Sequence, residues 1–431
     1  MSQTLPTTSA THQNGVHAEP VLRPGRDVAP LLDAVRAAAP AFGLDALTAE
    51  LARTVGAREV SFLIADISGG GLSRLARVTP EGSSPLPDRV PIAGTSAGTA
   101  LRTQRLRLDV VPPDAGDRSP GVWFYAPVSD RGEALGVLEL LLPAAPDIAT
   151  LGYLVGTADL LAYILIADRR YTDLYERGMR STELTLEAEI QRQLLPASFT
   201  CEAAEFTLAG WLLLASQAGG DTFDYSLDRD TLHLSITDAM GHGVAAALLA
   251  SLAVGTLRNS RRRGAGLTQQ AAAVNSSLGR HAELDQFVTG QLMRLDLGSG
   301  MLEIVNAGHL LPLLVRRGEV SELPLDADPV FGAVPDTDYR AQPFQLQPGD
   351  RLVLVTDGLF ERTAVAANVA ALLEQIGDFH AREAVQSITG AVLRATGGAL
   401  LDDATVLMLD WRGTASLPFT RWPGAQGRSV D

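Results

Sequence analysis

Apolar residues change rhythm along the chain, and the rhythm divides it. Residues 46–55 repeat apolar side chains at helical spacing, whereas 60–67 run almost continuously apolar up to Gly69-Gly70-Gly71, a strand followed by a turn signal. Residues 72–78 supply a hairpin partner. Residues 94–104 read as a short helix opening with Thr and Ser, and 123–128 and 135–142 as two strands flanking a tight turn at Asp130-Arg131-Gly132. Residues 151–167 form the longest apolar run; with Asp159 inside it and a length short of a bilayer span, it is expected to be a buried helix. Between residues 168 and 195 the pattern is charged and helical, with Leu186, Ile190 and Leu194 on one stripe and Pro196 as the stop. Beyond Thr207 strands dominate, with helices expected near 244–262, 268–281 and 381–396.

These shifts predict a disordered tail at 1–29, a mixed helix-and-strand unit at 30–167, a helical linker at 168–196, a strand-rich unit at 197–412 and a loose tail at 413–431. The expected fold class is α+β. A length of 431 residues suits two or three domains, and 46 % apolar content lets each bury a core.

Charge changes the picture next. Arg alone supplies the 35 basic side chains, against 50 acidic ones, for a net charge of −15. Nucleic acid is therefore excluded as a main partner, since phosphate-backbone binding needs clustered cations. Residues 201–410 hold 26 acidic residues against 14 Arg, so most of the negative charge lies in the second half. The single cysteine, Cys201, excludes an internal disulfide framework. With no signal-peptide pattern at the start, the expectation is a cytoplasmic protein without a membrane anchor.

Four aspartates stand at strand ends: Asp221 after Gly219-Gly220, Asp238 after residues 232–237, Asp357 before Gly358, and Asp402 before Asp403 and an apolar run. One Asp beside a Gly is an ordinary turn; four in one unit point to a site. Carboxylates converging at about 4 Å repel by roughly 4 kcal/mol per pair at an effective dielectric of 20, so cations must hold them together. A set of oxygen ligands selects Mg2+ or Mn2+ rather than Zn2+, and two such ions suit phosphoryl chemistry.

The same residues carry a resemblance. Gly219-Gly220-Asp221-Thr222-Phe223-Asp224, Asp238-Ala239-Met240-Gly241-His242-Gly243, Asn306-Ala307-Gly308-His309, Gly349-Asp350, Thr356-Asp357-Gly358 and Asp402-Asp403-Ala404-Thr405 follow the order seen in SpoIIE-type members of the metal-dependent, protein phosphatase 2C-like Ser/Thr phosphatases. The resemblance implies an α-β-β-α sandwich with two Mn2+ (or Mg2+) at one end. It implies that Asp238 bridges both ions, that the Ala239 carbonyl binds one, that Asp357 and Asp402 complete the other, and that Asp221 contributes directly or through water; Asp238 and Asp221 are the catalytic candidates. Asp224, His242, Asn306, His309, Thr356, Gly358 and Asp403 are expected in the surrounding shell. The implied reaction is attack of a hydroxide bridged by two metals on phosphoserine or phosphothreonine, with an anti-sigma-factor antagonist as substrate. Met240 stands where eukaryotic relatives have His, which leaves a metal-bound water or another side chain, such as His242, to protonate the leaving group. His309 is expected to order a loop.

Residues 126–128 and 136–140 resemble the last hairpin of GAF domains, with a Per-Arnt-Sim-like fold as competitor. Residues 30–167 contain no His or Cys, which argues against His-ligated haem, a thioether-linked bilin or an iron–sulfur cluster there. A dimerisation and relay module and a sensor of an unknown small ligand both remain open. Residues 188–196 resemble the linker preceding SpoIIE-type phosphatases, which favours a relay in a homodimer. The rival reading is a catalytically weak or inactive signalling module that binds a partner through the phosphatase-like unit.

Overall fold

The computed structural model describes residues 27–79, 86–111, 120–181, 183–215, 219–281, 286–360, 368–397 and 400–414. Most of both expected tails, residues 1–26 and 415–431, lies outside them.

Helices Ala29–Ala37 (α1) and Gly43–Val55 (α2) lead into strands Glu59–Ala65 (β1), Gly71–Val78 (β2) and Arg89–Pro91 (β3). Helix Ser96–Thr103 (α3) follows, then strands Arg107–Val111 (β4), Gly121–Asp130 (β5) and Glu133–Leu142 (β6), and helix Ile148–Asp168 (α4). The strands form one antiparallel sheet in the order β3-β2-β1-β6-β5-β4. Arg131 and Gly132 both take positive φ, 45° and 83°, which matches the twist that a two-residue hairpin turn demands. On one face of the sheet Phe62, Phe124, Leu138 and Leu140 meet Leu44, Leu47 and Leu51 of α2 and Tyr153, Leu154 and Leu161 of α4. Among the described residues, α4 is the one helix long and apolar enough to cross a membrane; half of its most apolar stretch is buried inside the molecule.

The linker breaks into two helices, Leu174–Gly178 (α5) and Leu186–Leu194 (α6). Here the expectation needs correction. Leu186 is 66 % exposed, Leu194 packs against the core under α7 and α8, and the buried residues of α6 are Ala188 and Gln191. The helix thus turns a polar side chain inward beside the end of its Leu/Ile stripe.

The second half contains strands Thr200–Glu202 (β7), Phe206–Leu213 (β8), Thr222–Leu227 (β9) and Thr231–Ala239 (β10), helices Gly243–Arg262 (α7) and Leu267–His281 (α8), and strands Val288–Asp296 (β11), Met301–Ala307 (β12), Leu313–Arg316 (β13), Glu319–Glu322 (β14), Gln342–Gln345 (β15) and Arg351–Val355 (β16). Helices Val369–Gln375 (α9) and Ala381–Ala395 (α10) and strand Ala404–Trp411 (β17) complete it. Two antiparallel sheets result, β15-β12-β11-β10-β9 and β14-β13-β16-β17-β8-β7. Strand alternation builds three cores from them. Leu352 and Leu354 of β16 and Leu407 and Leu409 of β17 face the other sheet, meeting Phe223, Leu234 and Met293. Val353, Val355, Val406 and Met408 face α9 and α10. Helices α7 and α8 cover the outer face of the first sheet through Ala250, Leu257, Ala271 and Leu278. Both faces of β16 and β17 are thus buried, which is why residues 352–355 and 406–409 read as unbroken apolar runs.

The β5–β6 turn meets the second half directly. Glu202 N–H donates to the Arg131 carbonyl (3.0 Å), and the buried Arg382 guanidinium donates to the carbonyls of Gly132 (2.6 Å) and Arg102 (3.2 Å).

Candidate metal centre

Antiparallel pairing explains why aspartates far apart in sequence meet. Asp238 lies near the end of β10 and Asp221 immediately before β9; the pairing of Thr237 with Thr222, whose hydroxyls are 2.6 Å apart, sets the two side by side. In the other sheet β16 ends into Asp357 while β17 begins just after Asp402 and Asp403, with Val355 paired to Val406. Both sheets present these ends on the same side. Thr356 Oγ1 (2.6 Å) and Thr405 Oγ1 (2.7 Å) each donate to Asp221 Oδ2, so a carboxylate of one sheet is fixed by two hydroxyls of the other. Thr405 N–H donates in turn to Thr356 Oγ1 (2.9 Å).

Glycines allow the close approach. A Cβ on Gly358 would stand 2.0 Å from the Asp403 carbonyl oxygen, and one on Gly220 would stand 2.5 Å from the Ala239 carbonyl oxygen. Ala239 is not among the described residues with positive φ, so an alanine is accommodated there without strain.

The electrostatics are those of crowded like charges. Burial, then Asp357, Asp402 and Asp403, push the Asp238 carboxyl up to about 7. Burial and the charges of Asp238 and Asp403 raise Asp221 well above the usual carboxylate range, against the pull of the two threonine hydroxyls. Asp402, exposed on its outer side, is raised by the protein around it and by Asp357, with His242 acting in the opposite direction. The arrangement keeps full charge on its carboxylates only with cations present.

Asp403 plays a different part. Fully enclosed, it accepts from the backbone N–H of Ala215 (2.8 Å) and Gly219 (2.9 Å) and from Gln191 Nε2 (2.5 Å). It holds the approach to Asp221 in place. His242, exposed, stands just before α7 beside Asp402. Asn306 Oδ1 accepts from His309 N–H (2.9 Å), and His309 Nδ1 pairs with Thr289 Oγ1 (2.8 Å); burial lowers the His309 imidazole to about 4, so it is neutral and orders its loop.

Asp224, expected in the surrounding shell, has a buried carboxylate that pairs with Arg258 and Arg261 of α7 at 3.0 and 3.2 Å. Arg261, near the end of α7, is thereby committed to Asp224. Sequence reasoning also missed Thr405 and Gln191 as site residues. A hydroxyl just after the Asp402-Asp403 pair marks the first; Ala188, Gln191 and Leu195, an alternative stripe on α6, mark the second.

Among the described residues no three His, Cys, Asp or Glu side chains are already drawn into a closed metal-ligand set. The donor set nevertheless fits hard divalent ions: carboxylate oxygens on one side of the two sheets, a nearby backbone carbonyl at Ala239, and glycines where a Cβ would obstruct the approach.

Residues 228–412 match the family of Stage II sporulation protein E (SpoIIE). The chain is 24 % identical over 234 residues to phosphoserine phosphatase RsbU of Bacillus subtilis, covering 53 % of this chain and 70 % of that protein. It is 24 % identical over 193 residues to phosphoserine phosphatase RsbP of the same organism, covering 42 % of this chain and 46 % of that one. The solved RsbU and RsbW domains of Rv1364c from Mycobacterium tuberculosis align with a TM-score of 0.43 at 28 % identity, over 48 % of this chain and 60 % of theirs. Residues 228–412 are thus a SpoIIE-type, protein phosphatase 2C-like domain of the metal-dependent protein phosphatases, homologous to RsbU and RsbP.

Proposed function

We propose that the chain is a cytoplasmic protein-serine/threonine phosphatase acting on a phosphorylated regulatory protein, an anti-sigma-factor antagonist, under control of a GAF-like sensor at residues 30–167. The single observation carrying the hydrolase reading is the convergence of Asp221, Asp238, Asp357 and Asp402 at one end of the two sheets, with the carboxyls of Asp221, Asp238 and Asp402 raised by burial and by neighbouring carboxylates. The similarity to RsbU and RsbP, both named phosphoserine phosphatases, supports the substrate class.

Asp238, Asp221, Asp357, Asp402 and the Ala239 carbonyl would hold two Mn2+ or Mg2+; bound there, the ions supply Lewis-acid stabilisation of phosphoryl oxygens and a hydroxide nucleophile at neutral pH. Thr356 and Thr405 hold Asp221 in one orientation, leaving Oδ1 free of those two bonds. Asp403 keeps the backbone at Ala215 and Gly219 in register with the cluster. His242, exposed beside Asp402, is the side chain on this rim able to hold and deliver a proton to a departing serine or threonine oxygen; Met240 has none to give.

Regulation fits the contacts of α6. Arg192 pairs with Glu176 of α5 (3.3 Å), Arg180 with Glu189 (2.8 Å), and Arg258 of α7 donates to the Leu194 carbonyl (2.6 Å). A change in the sensor, driven by a small ligand or by dimer geometry in a homodimer, would move this helix between two arrangements. The partner-binding alternative without catalysis leaves the cost of assembling the aspartates unexplained. Manganese-dependent release of phosphate from a phosphoserine peptide, lost in Asp238→Asn and Asp357→Asn, is the expected result. No release from any phosphoserine or phosphothreonine peptide, by the full chain or by a fragment starting at Thr200, would favour the alternative.

A further inference from the structure

We infer that Gln191, which lies in the linker outside the family-matched segment, is a positioning residue of the metal centre. Its side chain is fully buried. One amide nitrogen donates to both the Asp221 backbone carbonyl (2.7 Å) and Asp403 Oδ2 (2.5 Å), joining the segment that carries Asp221 to the turn that carries Asp402. Both neighbours are acceptors, so the amide orientation is fixed: only the NH2 end can serve them. The other end, Gln191 Oε1, has no hydrogen-bond partner. A buried amide oxygen left unpaired is costly, and a Leu or Met would fill the same space without that cost. What the amide offers in return is the bridge between two ligand-bearing segments. Groups that orient metal ligands from one step away typically change metal affinity by about 10- to 100-fold when removed.

The role rests on the metal-site reading above and goes beyond it by assigning part of that site to the linker. Helix α6 therefore contributes to the geometry of the centre as well as lying next to it. Moving the helix by the length of one hydrogen bond would release the Asp221 and Asp403 segments together.

The test is calorimetric Mn2+ binding to the full chain as wild type, Gln191→Met, Gln191→Asn and Arg192→Ala, with phosphopeptide kinetics across a Mn2+ series. Gln191→Asn keeps a buried amide but is one methylene too short to bridge, and carries the test should Gln191→Met not fold. Arg192→Ala perturbs the same helix without touching the centre. The expected result is Mn2+ binding weakened about tenfold in both Gln191 variants, kcat recovered at saturating Mn2+, KM for the peptide unchanged within about twofold, and wild-type Mn2+ binding in Arg192→Ala. Wild-type affinity in both Gln191 variants, equal weakening in Arg192→Ala, or a kcat loss that saturating Mn2+ does not repair would each overturn the role while leaving the phosphatase reading in place. Absence of Mn2+ binding by the wild type would instead remove the metal-site reading, and this role with it.

Discussion

Replacing Asp238 by Asn should stabilise the metal-free protein and disable the metal-loaded one. The Asp238 carboxyl rises from its ordinary 3.8 to about 7, first through burial and then through Asp357, Asp402 and Asp403. Because the folded state holds that proton more tightly than the unfolded chain does, its favourable contribution is complete below pH 3.8 and is lost as pH rises through 7. The window spans about three pH units at 1.36 kcal/mol each, an upper bound of roughly 4 kcal/mol; partial exposure of Asp238 brings the expected penalty at pH 8 to about 2–4 kcal/mol. Asn carries no charge at any of these pH values, and its amide oxygen can still accept a hydrogen bond from Asp221. Urea unfolding in chelator, followed by the fluorescence of Trp211 and Trp411, should therefore show Asp238→Asn more stable than wild type at pH 8, with the gap closing toward pH 5. With Mn2+ at 100 times its Kd the wild type gains about 2.7 kcal/mol and the order narrows or reverses, since the variant loses the ion-binding carboxylate. A variant equal to or less stable than wild type in chelator at pH 8 would refute the electrostatic reasoning.

Three further outcomes are expected. Gly358→Ala brings a methyl to 2.0 Å from the Asp403 carbonyl oxygen, and since backbone must move, a loss of about 3 kcal/mol or more together with Mn2+ binding is expected, measurable by denaturant unfolding and calorimetry. Arg258→Met removes one of two partners of buried Asp224 and the donor to the Leu194 carbonyl, costing about 2 kcal/mol and raising hydrogen exchange in α6 before that in α8. The His309 imidazole is lowered by burial to about 4, so its contribution is present above pH 6.5 and lost as pH falls toward 4, up to about 3 kcal/mol. Unfolding of His309→Gln compared with wild type between pH 7 and pH 4.5 should show the difference shrinking by that order.

The aspartates were legible in the sequence because each interrupts an apolar strand, and a charge at the end of a buried strand has few reasons to be there. The sheets were legible for a related cause: residues 352–355 and 406–409 are apolar at consecutive positions, which requires cover on both faces. Periodicity told only part of α6. It rewards Leu186, Ile190 and Leu194, of which Leu194 packs against the core under α7 and α8, yet the helix also lies against an acidic centre, where the buried residue is the amide that can satisfy it. The partners of Asp224 were not legible for another reason. It lies on β9, three residues after Asp221, and its pairing with Arg258 and Arg261, 34 and 37 residues away, joins separate elements. Ion pairs between separate elements leave no periodic trace.

The central claim is that two sheets bring four aspartates together to hold a pair of hard divalent ions. Anomalous diffraction from crystals soaked in Mn2+ tests it most directly. Two peaks at the ends of β10, β16 and β17, bounded by Asp221, Asp238, Asp357, Asp402 and the Ala239 carbonyl and absent from Asp238→Asn crystals, are the expected result. No Mn2+ peak at this end of the sheets, or a peak that persists unchanged in Asp238→Asn, would contradict it.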